Sequence, residues 1–111
     1  MNPDYPSDAD GDALRKVASH GSDMSRAMAI DFAVAVPDED SGVQVAVAAQ
    51  RAGYETSISR DDESGNWTCY CKKAMLATYG AVLAAQDELD RLARPCGGRA
   101  DGWGTFGNSS G

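Results

Sequence analysis

The run Ala27 to Val36 constrains this chain more than any other segment. Ile30, Phe32, Val34 and Val36 fall on one phase of a two-residue period, and Asp31, Ala33 and Ala35 on the other. Successive strand side chains point to opposite faces, so the pattern predicts a strand with one apolar face and one mixed face. Such a strand needs partner strands and a layer over its apolar side. Pro37 closes the run, because it has no backbone N–H to donate to a ladder. Asp38-Glu39-Asp40-Ser41 then supplies helix-start chemistry, since side-chain oxygens cap free N–H groups and acids suit the N-terminal dipole.

The remaining elements follow from periodicity. Val43, Ala46, Val47 and Gln50 recur at helical spacing as far as Gly53, which predicts a thin, Ala-rich helix suited to close packing against a sheet. Tyr54, Thr56 and Ile58 alternate as a second strand. The acidic loop Asp61 to Gly65 reverses the chain into a third strand, Trp67 to Lys72, giving a hairpin. Its expected inward face is Trp67, Cys69 and Cys71, leaving Thr68, Tyr70 and Lys72 outward. A long helix is predicted from Met75 to Arg94, with Met75, Tyr79, Val82, Leu83, Leu89 and Leu92 as its apolar stripe. Asp87–Arg91 and Asp90–Arg94 are expected as ion pairs on its wet side. Pro95 and Gly97-Gly98 end it, and Arg99 to Phe106 reads as a last strand. Ahead of the first strand, Leu14, Val17 and Ala18 mark a short helix from Asp10 to His20, stopped at Gly21.

After that first helix the order is β-α-β-β-α-β. Two split βαβ units around a hairpin make a ferredoxin-like α+β sandwich: a four-stranded antiparallel sheet with two helices on one face. The expected spatial order is 4-1-3-2, with the two most apolar strands central and the second and fourth at the edges. Either edge offers unpaired backbone groups through which a homodimer would form. Residues 1–9 read as a loose segment, 10–107 as a single domain and 108–111 as a tail.

Charge bears on the partner. The 111 residues hold 17 Asp plus Glu against 10 Lys plus Arg, a formal net charge of −7. Phosphate binding depends on clustered cations, so nucleic acid is not the expected partner, and neither is an anionic membrane surface. The stretch Met1 to Asp8 has no basic and apolar regions of a secretory signal, and no apolar run nears the roughly 18 residues of a membrane span. A cytoplasmic location is the expectation.

Several chemical motifs weigh less than they first suggest. Gly102-Trp103-Gly104-Thr105-Phe106-Gly107 matches G-x-G-x-x-G, but the segment after it is too short for the helix that a dinucleotide fingerprint opens. His20 has no second histidine to join it, Cys69 and Cys71 lack C-x-x-C spacing, and Asp61-Asp62-Glu63 lacks the EF-hand pattern. No metal or cofactor is expected. Three cysteines, an odd number, suit reduced thiols. On an extended strand the Cα atoms of Cys69 and Cys71 would lie about 6.5–7 Å apart, at the edge of disulfide geometry. Buried inert thiols are the simpler reading, with a thiol-dependent enzyme or a small-molecule-binding ferredoxin-like module as alternatives. Tyr70 and Trp103 on an open sheet face would suit base stacking, but Asp31 and Asp101 share or border that surface and a basic-aromatic pattern is missing.

The C-terminal segment carries a resemblance. Asp101-Gly102-Trp103-Gly104-Thr105-Phe106 resembles the D-G-W-G-T-[FY] ending of the regulator of ribonuclease E activity B family, the ribonuclease E inhibitor proteins. Gly21-Ser22-Asp23-Met24-Ser25 is similar to that family's G-x-D-L-S entry to the first strand. Ile30-Asp31-Phe32 before Pro37, Ala49 through Gly53-Tyr54-Glu55, and Cys71, Met75 and Tyr79 match further segments in order. The resemblance spans about residues 12–107. It implies a ferredoxin-like fold and a non-catalytic regulator that binds ribonuclease E and modulates RNA degradation. Acid–base complementarity supports a protein interface formed by Asp38, Glu39, Asp40, Asp61, Asp62 and Glu63, with Asp101 and the aromatics Tyr70 and Trp103.

Overall fold

In a computed structural model, which describes residues 7–108, the chain folds as α1 (Ala9–Ser19), β1 (Met28–Val36), α2 (Glu39–Arg51), β2 (Glu55–Arg60), β3 (Trp67–Met75), α3 (Tyr79–Ala93) and β4 (Arg99–Thr105). A 3-10 turn, Arg94–Cys96, links α3 to β4. The four strands form one antiparallel sheet in the order β2-β3-β1-β4, which is the expected 4-1-3-2 order seen from the other edge. The architecture is α+β.

Alternation in β1 does what its pattern dictates. Met28, Ile30, Phe32, Val34 and Val36 are buried and the residues between them are not. Cys69 and Cys71 of β3 lie beside Val34 and Phe32 and are also buried, while Tyr70 and Lys72 face outward as expected. Helices α2 and α3 cover this apolar face with Val45, Ala46, Ala49, Val82, Ala85 and Leu89. Tyr54 meets the Phe32 ring edge-on at 6.2 Å, and burial of a ring like that of Phe32 contributes about 1.5–3 kcal/mol.

Helix α1 joins the same layer through Leu14, which is fully buried. It starts at Ala9, where Asp8 serves as the N-cap and its carboxylate accepts the Gly11 N–H at 2.8 Å. Residues 1–6 of the expected loose segment lie outside the described residues, and so do 109–111 of the expected tail. Asn108 is bound into the domain: its amide oxygen accepts the Asp23 N–H at 2.7 Å, and its amide N–H groups donate to the Asp23, Arg26 and Ala27 carbonyls.

Two helices depart from expectation. Strand β3 continues to Met75 because β1 begins at Met28 and offers ladder partners to Lys73, Ala74 and Met75. The long helix therefore starts at Tyr79, where the Thr78 hydroxyl accepts the Ala81 N–H at 3.1 Å, and Met75 belongs to the sheet. Leu83, expected in the apolar stripe, is exposed, and the buried stripe is Val82, Ala85, Leu89 and Ala93. In α2 the buried positions are Gly42, Val45, Ala46 and Ala49, while Val43, Val47 and Gln50 face solvent. A Cβ on Gly42 would sit 3.4 Å from both Ile58 and Val36, so a residue with no side chain sets the contact face there.

Both expected ion pairs on α3 form, Asp87–Arg91 at 2.9 Å and Asp90–Arg94 at 2.6 Å. Asp90 also accepts the Ala100 N–H at 3.0 Å, tying the start of β4 to α3. That bond first, and the Arg94 guanidinium second, hold its carboxyl below the ordinary carboxylate value. No described helix is long and apolar enough to cross a membrane.

Candidate functional site

The sheet register gathers the acids. Val36 pairs with Trp67 and Trp67 with Arg60, so the β1–α2 connection and the tip of the β2–β3 hairpin flank the same end of the sheet. Asp38, Glu39 and Asp40 follow one of these strand ends, and Asp61, Asp62 and Glu63 follow the other. All six are exposed.

Each group is held differently. Asp38 caps α2 by accepting the Ser41 N–H at 2.8 Å, and this contact keeps its carboxyl below the ordinary range. Asp61 organises the hairpin tip, accepting the Glu63 N–H at 3.1 Å and the Ser64 hydroxyl at 2.9 Å, with the same consequence for its acidity. Glu39, Asp40, Asp62 and Glu63 present their carboxylates to solvent, available to a partner's cations.

Between the hairpin tip and the start of β4 lies a groove of about 700 Å³ on the open face of the sheet. Asp61, Ser64, Tyr70, Arg99 and Asp101 line it, with Ala35 and Thr68 among its floor. Arg99 and Asp101 stand 4.0 Å apart, a loose, solvent-exposed pair. The structure thus brings Asp61, Tyr70 and Asp101 to one groove and places Asp38, Glu39, Asp40, Asp62 and Glu63 at the same end of the molecule.

Trp103 is placed elsewhere. Regular alternation from Arg99, which pairs with outward-facing Ala35, would turn residues 101 and 103 outward. A bulge intervenes: Asp101 and Gly102 together oppose Ala33, and Gly102 takes φ of 108°, a backbone state that glycine adopts without strain. The extra residue leaves Asp101 outward and sets Trp103 beside inward-facing Phe32. Its indole packs against the core, and its Nε1–H donates to Asp10 Oδ1 of α1 at 2.7 Å. Gln86 of α3 donates to the same oxygen at 3.2 Å, and Tyr79 donates to Asp8 at 2.5 Å. Trp103 is a docking point for α1, not an exposed aromatic of the open face.

The thiols of Cys69 and Cys71 are fully buried with sulfurs 3.9 Å apart and unbridged. The contact with Cys69, reinforced by burial, holds the Cys71 thiol protonated far above its ordinary range. A substrate has no direct access to either sulfur. His20 is exposed at the end of α1. Among the described residues no group of three or more His, Cys, Asp or Glu side chains is arranged to hold a metal ion.

Phe106 was not singled out from sequence as a site residue, yet it is completely exposed beside the open face. The signal was available: it is an aromatic one residue past the end of β4, where no cross-strand neighbour covers it. Asp31 likewise lies on the polar phase of β1 and opens onto the same face.

These features define a two-layer α+β domain that seals one face of its sheet with helices and presents the other, rimmed with acids, to solvent. Comparison with known proteins gives the kinship. The chain belongs to the regulator of ribonuclease activity B family, whose model matches residues 7–105, from the approach to α1 to the end of β4. It is similar to the regulator of ribonuclease activity B of Actinobacillus succinogenes, with 31% identity over 97 residues, covering 84% of this chain and 68% of that relative.

Proposed function

We propose that this protein is a non-catalytic, cytoplasmic regulator that binds a ribonuclease through the acidic end of its ferredoxin-like scaffold, and that ribonuclease E is the target. Family membership supports a role in regulating ribonuclease activity. The observation that carries the mode of action is the convergence of six exposed acids and a groove at one end of the sheet. An enzyme that handles RNA must present cations to phosphate, and an acidic surface competes for those cations and steers association. The free edges β2 and β4 are where a second copy would pair, which sedimentation at several concentrations tests.

The decisive experiment measures binding of purified ribonuclease E to this chain together with cleavage of a reporter RNA. Association is expected at low ionic strength, weakening steeply with salt, with cleavage reduced in proportion to occupancy. Reversing charge at Asp40, Asp62 and Glu63 together should cut affinity at least about tenfold, in line with the coupling of close interfacial charge pairs. Absence of binding at low salt sinks the reading.

A further inference from the structure

A second depression on the open face adjoins the acidic groove and shares Tyr70 and Asp101 with it. It encloses about 490 Å³. Ala33 of β1 and the β4 segment Gly102, Trp103, Gly104 and Thr105 line it, and the two glycines leave strand backbone bare there. Tyr70, 42% exposed, and Phe106, fully exposed, form its aromatic walls. The two charged groups that line it, Asp31 and Asp101, are both acids. Their internal counter-ions are weakly committed. Arg99 approaches Asp101 only to 4.0 Å with its side chain 70% exposed, and Lys72 lies in register between Asp31 and Glu55, one cation between two acids.

Aromatic walls, carboxylates and bare strand backbone together match a long cationic side chain. Ring faces attract a cation, carboxylates take a guanidinium through paired hydrogen bonds, and an alkyl stem lies against small residues without steric conflict. A nucleic acid would bring phosphates against two carboxylates, which the same electrostatics disfavours. Guanidinium suits the site better than ammonium, because it stacks on a ring and binds carboxylate in one geometry.

We propose that this trough seats an arginine side chain carried by an extended segment of a protein partner. The inference rests on the reading of this chain as a protein-binding regulator, and adds to it the residue that the partner must supply. Phe106 gains a role: its ring, which covers nothing in the free chain, closes over the guanidinium.

The test is an amide-resolved NMR titration of the full chain with a capped Gly-Ser peptide bearing two arginines, and with its glutamine counterpart. The arginine peptide is expected to give saturable shifts at Ala33, Gly102, Gly104 and Phe106, and the glutamine peptide none. Phe106→Ala should weaken binding about threefold, the range of a partly exposed cation–aromatic contact. Asp31→Asn with Asp101→Asn should weaken it about tenfold. If that double variant loses its native spectrum, Phe106→Ala decides, since a fully exposed ring can be removed without touching the core. Equal shifts from both peptides, shifts confined to Asp38–Asp40 and Asp61–Glu63, or an oligouridine that shifts the trough amides more than the peptide does would overturn the proposal. The two readings fail separately. Ribonuclease inhibition retained in Phe106→Ala but lost on charge reversal at Asp40, Asp62 and Glu63 removes the trough and keeps the ribonuclease reading. A chain that seats the arginine peptide in the trough yet leaves ribonuclease E unaffected does the reverse.

Discussion

The two faces of the sheet are made from the same strands, alternate residue by alternate residue, and they differ in what their side chains are committed to. On the covered face Phe32, Val34, Cys69 and Cys71 are locked among α1, α2 and α3, with about 1% or less of their surface exposed. On the open face their immediate neighbours Asp31, Ala33, Tyr70 and Lys72 have no layer above them. The covered face therefore carries stability, and the open face is free to carry charge and aromatic surface without cost to the fold. Polar contacts follow the same division. On the covered side they tie elements together, as Trp103 does with Asp10 and Tyr54 with Glu88, whereas on the open side the ion pair of Arg99 with Asp101 is loose.

This division can be broken or sharpened by measurement, beginning where the effect is greatest. Phe32→Ala should cost about 3–5 kcal/mol in urea unfolding, because it empties a sealed core. Tyr70→Ala, next in β3 to the Cys71 that pairs with Phe32 but on the opposite face, should stay within about 0.5 kcal/mol, as surface changes do. Comparable losses would mean that the open face is also structural. Gly98→Ala comes next. The added Cβ would lie 2.7 Å from the Ala35 carbonyl oxygen and 3.1 Å from Val36, so overpacking should cost about 1–3 kcal/mol.

Trp103→Phe should lower stability by about 1–2 kcal/mol through loss of the indole bond to Asp10, while leaving the trough's peptide affinity unchanged. An equal loss of affinity would return Trp103 to the open face. The smallest effect is in pH. Burial, and then the bond to Glu88, push the Tyr54 phenol well above its ordinary value of 10. A group whose folded value is raised contributes stability in full below pH 10 and loses it as pH climbs from there. Thermal midpoints should thus fall in alkali, and Tyr54→Phe should flatten that fall. On the acid side Asp38, Asp61 and Asp90 are held below the ordinary 3.8, so their contribution is present above that value and fades as pH drops through their folded values. Neutralising Asp31, which stands on the open face with no bond of this kind to a backbone N–H, should leave the midpoint unmoved.

Much of this arrangement was legible in the sequence. The apolar phase of β1, the hairpin, the buried cysteines and the ion pairs of α3 all depend on neighbours in the chain, and periodicity reports neighbours directly. Three features were not. The face of α2 turned on Gly42, because Val and Ala positions along that helix offer two nearly equivalent stripes and only the fit against Ile58 and Val36 separates them. The start of α3 turned on the length of β1, whose ladder draws Met75 into β3. Trp103 turned on the bulge at Asp101-Gly102, which reverses the alternation for everything after it.

By itself, then, the sequence determined which segments are strands and helices, their order, the loops that bear the acids, and the kinship carried by the D-G-W-G run. The tertiary structure decided which face each side chain joins and which distant charges become neighbours. The physical reason is range. Alternation and capping are settled within a few residues, whereas a bulge, a helix phase and the meeting of Asp38–Asp40 with Asp61–Glu63 are fixed only when strands far apart in sequence pair in register.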